Sequence, residues 1–145
     1  MLVDTRLLVR TLQPHHELCA LAKGAIDKLR LQNRSLYLVP QNLVELWVVA
    51  TRPITQNGLG LSIPEAASEL MRLKRMFPLL PDTPAIYRVW ENLVIKRQVF
   101  GKPAHDARLV AAMQVHGLTA VLTFDKTAFS RYAGIEVVHP GDAAA

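Results

Sequence analysis

Along this chain, short apolar runs alternate with stretches in which apolar residues recur every three or four positions. Leu2 and Val3 are closed by Asp4, which predicts a strand at 2–4 handing over at once to a short helix at 5–12. Pro14-His15-His16 reads as a turn. Leu18, Leu21, Ala22, Ala25, Ile26 and Leu29 then keep helical spacing and predict a helix over 17–31. Leu36-Tyr37-Leu38-Val39 predicts a second strand. Pro40, a residue suited to the first turn of a helix, starts an element running to 51 that Pro53 ends. Asn57-Gly58 and Gly60 make 53–61 a turn-rich loop.

Ser62 and Glu65 have capping-box spacing and open a helix to 76. A short third strand is expected at 77–80. Thr83-Pro84 starts a helix to 100 with Ile86, Val89, Trp90, Leu93 and Val94 inward, and Gly101 stops it. The remaining pattern gives a helix at 106–116 opened by Asp106, a strand at 120–123, a short helix at 126–132 and a last strand at 136–138. Strands alternating with helices, with extra helices between the second and third strands, predict one α/β domain over 1–140. It holds a mainly parallel sheet of about five strands with helices on both faces. The small-residue tail at 141–145 is expected to fray.

Composition adds few surprises. A chain of 145 residues, half of them apolar, is long enough for a sizeable core and too apolar for disorder. No apolar run approaches the ~20 residues that span a bilayer, and the N-terminus lacks a signal-peptide pattern. With one cysteine, Cys19, there is no internal disulfide. The expectation is a cytoplasmic chain with no membrane segment, in which Cys19 is a packed thiol.

Charge changes the picture more. The net charge is +5, from 17 basic and 12 acidic residues. Arg72, Lys74 and Arg75 cluster in one predicted helix, and Lys96, Arg97 and Lys102 late in another. Taken singly such clusters are ordinary solvated faces. Together with a gathering of acids in one pocket they describe a basic exterior around an acidic site, which suits a phosphate backbone.

The acids in question are Asp4, Glu45, Asp106 and Asp125, each placed where a strand hands over to a helix. In a parallel α/β sheet those hand-overs share one edge, where such folds bind ligands. Converging carboxylates require a cation, and an all-oxygen set suits Mg2+ or Mn2+. Such an ion lowers the pKa of bound water and stabilises an in-line phosphoryl displacement. The five histidines show no paired zinc-ligand spacing, and there is no supported nucleophile triad. Acids also favour helix N-termini, so Asp106 and Asp125 alone fit helix starts and Glu45 alone fits a surface position. Asp4 fits that account less well, because a buried unpaired charge beside a strand is costly.

Taken in order, Leu2-Val3-Asp4-Thr5, Pro40-Gln41-Asn42-Leu43-Val44-Glu45, Thr51-Arg52-Pro53, Asn57-Gly58-Leu59-Gly60, His105-Asp106-Ala107-Arg108 and Leu122-Thr123-Phe124-Asp125 with Phe129 resemble the PIN-domain nucleases. The similarity is greatest to VapC-type toxins of type II toxin–antitoxin pairs, and it covers essentially the whole chain. It implies a Rossmann-like PIN fold and Mg2+- or Mn2+-dependent endoribonuclease activity on RNA. It also implies a cognate antitoxin and a homodimer. By the same resemblance Asp4, Glu45, Asp106 and Asp125 are metal-binding, catalytic positions, with Thr5 and Thr123 supporting them by hydrogen bonds.

Two positions depart from that pattern. Arg6 stands where Asn is expected, and Ala128 stands where many relatives carry an acid before the Phe. A guanidinium beside the first acid either pairs with a carboxylate and competes with metal, or points outward towards a phosphate. The alternative reading is therefore a catalytically impaired PIN-like module that binds RNA or protein. A phosphoacceptor domain fits poorly, because it has no use for Glu45 and no suitably placed late Lys follows the last strands.

Overall fold

The computed structural model describes residues 1–143. Strand β1 (Leu2–Val3) leads into α1 (Thr5–Thr11), then α2 (Cys19–Leu31), α3 (Pro40–Thr51), a 3-10 turn at Ile54–Gln56 and α4 (Ile63–Met76). There follow α5 (Pro84–Lys96), α6 (Pro103–Val115), β2 (Ala120–Leu122), α7 (Lys126–Ser130), β3 (Glu136–Val138) and α8 (Pro140–Ala143). The strands form a parallel sheet in the order β1-β2-β3.

The two other expected strands, 36–39 and 77–80, are reduced to single parallel bridges, Leu2 with Tyr37 and Leu38 with Leu79. They extend the sheet outward from β1, through Val3 N donating to Tyr37 O at 3.0 Å and Leu38 N donating to Pro78 O at 3.0 Å. Pro40, Pro78 and Pro81 explain their brevity: none has an N–H to continue a ladder, and Pro40 already starts α3.

Alternation along the strands sorts the core. Val3, Ala120 and Leu122 face a cluster with Leu7 and Leu8 of α1 and Ala22, Ala25 and Ile26 of α2. Leu2 and Val121 face the opposite cluster, built on Val110, Ala111 and Met113 of α6 and Phe129 of α7. Helices thus cover both faces, as the alternation predicts. Cys19 is buried, also as expected. Helix α6 buries six residues almost all round, which fits its central place.

Several boundaries differ from expectation. Helix α6 starts at Pro103, so Asp106 lies inside its first turn rather than opening it. Helix α5 stops at Lys96, because Gln98 and Gly101 take left-handed backbone (φ 49° and 67°) in the turn before α6. The tail expected to fray instead begins with α8, whose Ala143 packs into the first core cluster; 144–145 lie outside the described residues. No helix among the described residues is long and apolar enough to cross a membrane.

Candidate active site

Because the strands are parallel, the residues that leave them emerge on one side. Asp4 follows β1 and donates its N–H to Leu122 O at 2.9 Å, so the ends of β1 and β2 are tied together. Thr123 and Asp125 follow β2 on the same edge. The Asp4 carboxyl is 1% exposed, and its Oδ2 accepts from Thr123 Oγ1 at 2.7 Å. Thr123 Oγ1 in turn accepts from Asp125 N at 3.0 Å, so one buried hydroxyl orients two acids.

Glu45 comes from the middle of α3 and is held by Thr5, whose Oγ1 donates to Glu45 Oε1 at 3.0 Å. Asn42, fully buried, fixes that hydroxyl. Its Nδ2 donates to Thr5 Oγ1 and to Val3 O, both at 3.1 Å, while its Oδ1 accepts from Val39 N at 2.9 Å. Asn42 therefore ties β1, α1 and α3 together under the acids. Gln41 does similar work, donating to His105 O at 2.7 Å and accepting from Arg108 Nη1 at 3.0 Å.

Arg6 occupies the centre. Its Nη1 donates to Asp4 Oδ2 at 3.2 Å and its Nη2 to both oxygens of Asp106, at 3.2 and 3.0 Å. Its Nε lies 3.9 Å from Asp125 Oδ2. Of the two orientations open to this guanidinium, it takes the inward one: three acids from three segments share one cation. Among the described residues, no three Asp, Glu, His or Cys side chains stand together as a ready metal site.

The electrostatics follow from burial and partners. Burial raises the pKa of Asp4, against the opposing pull of Arg6 and Thr123. Burial likewise raises Glu45, opposed by hydrogen bonds from Thr5 and Gln41. Asp125 is lowered, first by the Thr127 hydroxyl and also by the Ala128 N–H, because it caps α7 in the open. Burial works against the charge on Arg6, but Asp106 and Asp4 outweigh it and raise its pKa above the ordinary value.

A cavity of about 630 Å3 opens over Arg6, Glu45, Asp106 and Asp125, and Arg52, Lys102 and Arg131 form its rim. His105 also lines it. A groove of about 550 Å3 adjoins it past the apolar Val44 and Val48 of α3, with Arg108 on its wall. Of the basic clusters noted in the sequence, Lys102 lines the cleft, and Lys126 at the start of α7 pairs with Asp142 at 3.2 Å. Arg52 entered the sequence reading only within the Thr51-Arg52-Pro53 motif, and Arg131 carried no sequence signal. Asn42 did carry one, as a capping residue three positions after Val39 in the helix that Pro40 begins.

Known proteins agree with this architecture. The chain resembles FitAcB from Neisseria gonorrhoeae at 20% identity and a TM-score of 0.68, covering 97% of each chain. A toxin–antitoxin complex from Klebsiella pneumoniae matches at 19% and 0.65, covering 96% of each. VapC20 of Mycobacterium tuberculosis, a toxin that cleaves the sarcin–ricin loop, matches at 19% and 0.63, covering 90% of this chain and 93% of that one. At these identities the likeness is one of fold. Among curated proteins there is no match. The sequence model of the PIN domain matches residues 1–135, nearly the full length, and the chain belongs to the PIN domain family.

Proposed function

We propose that this chain is an endoribonuclease that hydrolyses RNA phosphodiester bonds with Mg2+ or Mn2+, acting in the cytoplasm as the toxin of a toxin–antitoxin pair. One observation carries the reading: Asp4, Asp106 and Asp125 converge on a single cationic centre inside a cleft rimmed by Arg52, Lys102 and Arg131. The donor set is all oxygen and fits a hard divalent ion in place of the guanidinium. Asp4, Asp106 and Asp125, with Glu45 beside them, would hold it. When bound, it supplies a water of lowered pKa and charge stabilisation for the phosphoryl oxygens.

The chain's own groups do the rest. Thr123 orients Asp4 and fixes the start of the Asp125 turn, while Thr5, held by Asn42, orients Glu45. These hydroxyls spend no reorganisation when charge develops, because they are already placed. The basic rim binds the phosphates that flank the scissile one. A cognate antitoxin and a second copy of the chain are the proposed protein partners, on the strength of the resemblance to toxin–antitoxin structures.

Asp106→Asn and Asp4→Asn, each assayed for RNA cleavage in Mn2+ and in EDTA, test the mechanism. The expected loss is roughly 100-fold or more for each, since a metal-binding oxygen goes. Undiminished cleavage that also persists in EDTA would rule the reading out. The inward Arg6 favours a second reading, an RNA- or protein-binding module without catalysis. That version predicts RNA binding with no cleavage and no stabilisation by Mn2+.

A further inference from the structure

Arg6 borders two cavities. One is the acidic cleft; the other, of about 400 Å3, lies between α1, α3 and the 57–59 segment. Arg6, Arg10 and Arg52 line the second cavity, and no acid does. Arg52 reaches across it to donate from Nη2 to Asn57 O at 2.9 Å, and its buried Nε has no hydrogen-bond partner. A buried N–H without an acceptor is costly, so this guanidinium gains from any shift that brings it an acceptor such as a phosphate oxygen. Arg52 also lines the acidic cleft, so Arg6 and Arg52 together form the wall between the two spaces.

Arg6 is placed to serve either side, because it lines both cavities. Its side chain is 45% exposed, and everything that holds it is a carboxylate of the cluster. One positive charge facing Asp4, Asp106 and Asp125 leaves the cluster undercompensated, whereas a divalent ion would balance it more fully. The guanidinium and the ion require the same oxygens, so they exclude each other.

We infer that Arg6 is a built-in cation that keeps the acid cluster closed to a divalent ion until a substrate phosphate, seated with Arg10 and Arg52 in the neighbouring cavity, draws it out. The inference rests on the nuclease reading above and adds an order to it. RNA and metal then favour each other's binding, because each stabilises the outward position of one side chain, and the coupling is reciprocal. The resting protein holds its acids on Arg6, and the competent site assembles where a phosphate chain lies.

The test is calorimetric titration of Mn2+ into the wild-type chain, Arg6→Asn and Arg6→Lys. It is run with and without a short oligoribonucleotide protected from hydrolysis by phosphorothioate linkages. Arg6→Asn is expected to bind Mn2+ about tenfold more tightly than wild type, and Arg6→Lys, a point charge without the fork, in between. The oligonucleotide tightens Mn2+ binding to wild type but not to Arg6→Asn, and Arg10→Gln weakens that effect while leaving Mn2+ affinity alone unchanged. Melting curves in EDTA identify folded variants, and Arg6→Asn, with its acids left facing one another, melts lower there yet gains more from Mn2+. Equal Mn2+ affinity for wild type and Arg6→Asn would overturn the inference. So would an oligonucleotide that leaves wild-type affinity unmoved. Absence of Mn2+ binding in all variants would instead overturn the nuclease reading beneath it.

Discussion

Asp4 and Glu45 are held above the ordinary carboxylate range by burial, while Asp125, at the open end of the same cluster, is held below it. These shifts have opposite consequences for stability. An acid whose folded pKa is raised binds more protons folded than unfolded, so its contribution falls as pH rises from the unfolded to the folded value. An acid whose folded pKa is lowered contributes above the unfolded value and loses that contribution as pH falls through the folded one. The metal-free protein should therefore melt higher as pH drops from neutrality towards the raised values of Asp4 and Glu45. It should melt lower again on further acidification, as Asp125 is protonated. Glu45→Gln keeps an oxygen for Thr5 to donate to and removes the charge. Thermal melts in EDTA across that pH range should show it more stable than wild type at neutral pH, with a flatter rise on acidification. A variant that is less stable at neutral pH, or equally pH-sensitive, would contradict this account. Asp106 lies in the first turn of α6 and Glu45 in the middle of α3, whereas the placement of Asp4 and Asp125 at strand ends was legible in the sequence, since they follow β1 and β2. Where Arg6 points was not, because its direction is decided by Asp106, one hundred residues away in sequence. For Asn42 the cap to Val39 is local and readable, whereas its bonds to Val3 O and Thr5 depend on β1 and α1 lying against α3.

At the scale of elements, the 53–61 segment is fastened to the end of α3 by backbone hydrogen bonds, besides the one from the Arg52 side chain to Asn57 O. Leu59 N donates to Val49 O at 2.9 Å, Gly60 N to Arg52 O at 2.9 Å and Leu61 N to Ala50 O at 2.8 Å. Gly58 permits this approach: a Cβ there would lie 1.9 Å from Arg52 O. Backbone is hard to displace, so Gly58→Ala should cost about 1–3 kcal/mol in urea or thermal unfolding. It should also weaken RNA binding, because the same clash moves Arg52 at the cleft rim. An unaltered melting temperature would mean that the segment lies free of α3. Sequence reading found this loop and the capping box that follows it, where Ser62 N donates to Glu65 Oε2 at 3.3 Å and Glu65 N donates to Ser62 Oγ at 3.2 Å. Caps and glycine turns are local, so they are readable. The outer strands were over-read because their apolar runs are strand-like, whereas ladder length depends on prolines that withhold donors from the neighbouring strand. The start of α6 was misplaced by three residues for the opposite reason: Asp106 resembles a helix opener, and Pro103 had already supplied one.

Across the whole molecule, a net charge of +5 is divided between an acidic cleft floor and basic surfaces of different kinds. Arg52, Lys102 and Arg131 rim the cleft; Lys74 and Arg75, on α4, do not line it. If the rim tracks a single-stranded RNA backbone, each residue there releases counterions and the others do not. The logarithm of RNA affinity, measured in EDTA over a series of salt concentrations, should then fall linearly with the logarithm of salt. Each of Arg52→Gln, Lys102→Gln and Arg131→Gln should reduce the steepness by about 0.7, the value for one phosphate contact on a single strand. Lys74→Gln should leave it unchanged, although it lowers the net charge equally. This separates a shaped path from a general attraction, since a uniform field responds to any lost cation alike. Equal slopes for rim and α4 variants would show that RNA is attracted by charge alone and follows no route through the cleft. Loss confined to the rim would place the backbone across the acids that Arg6 holds.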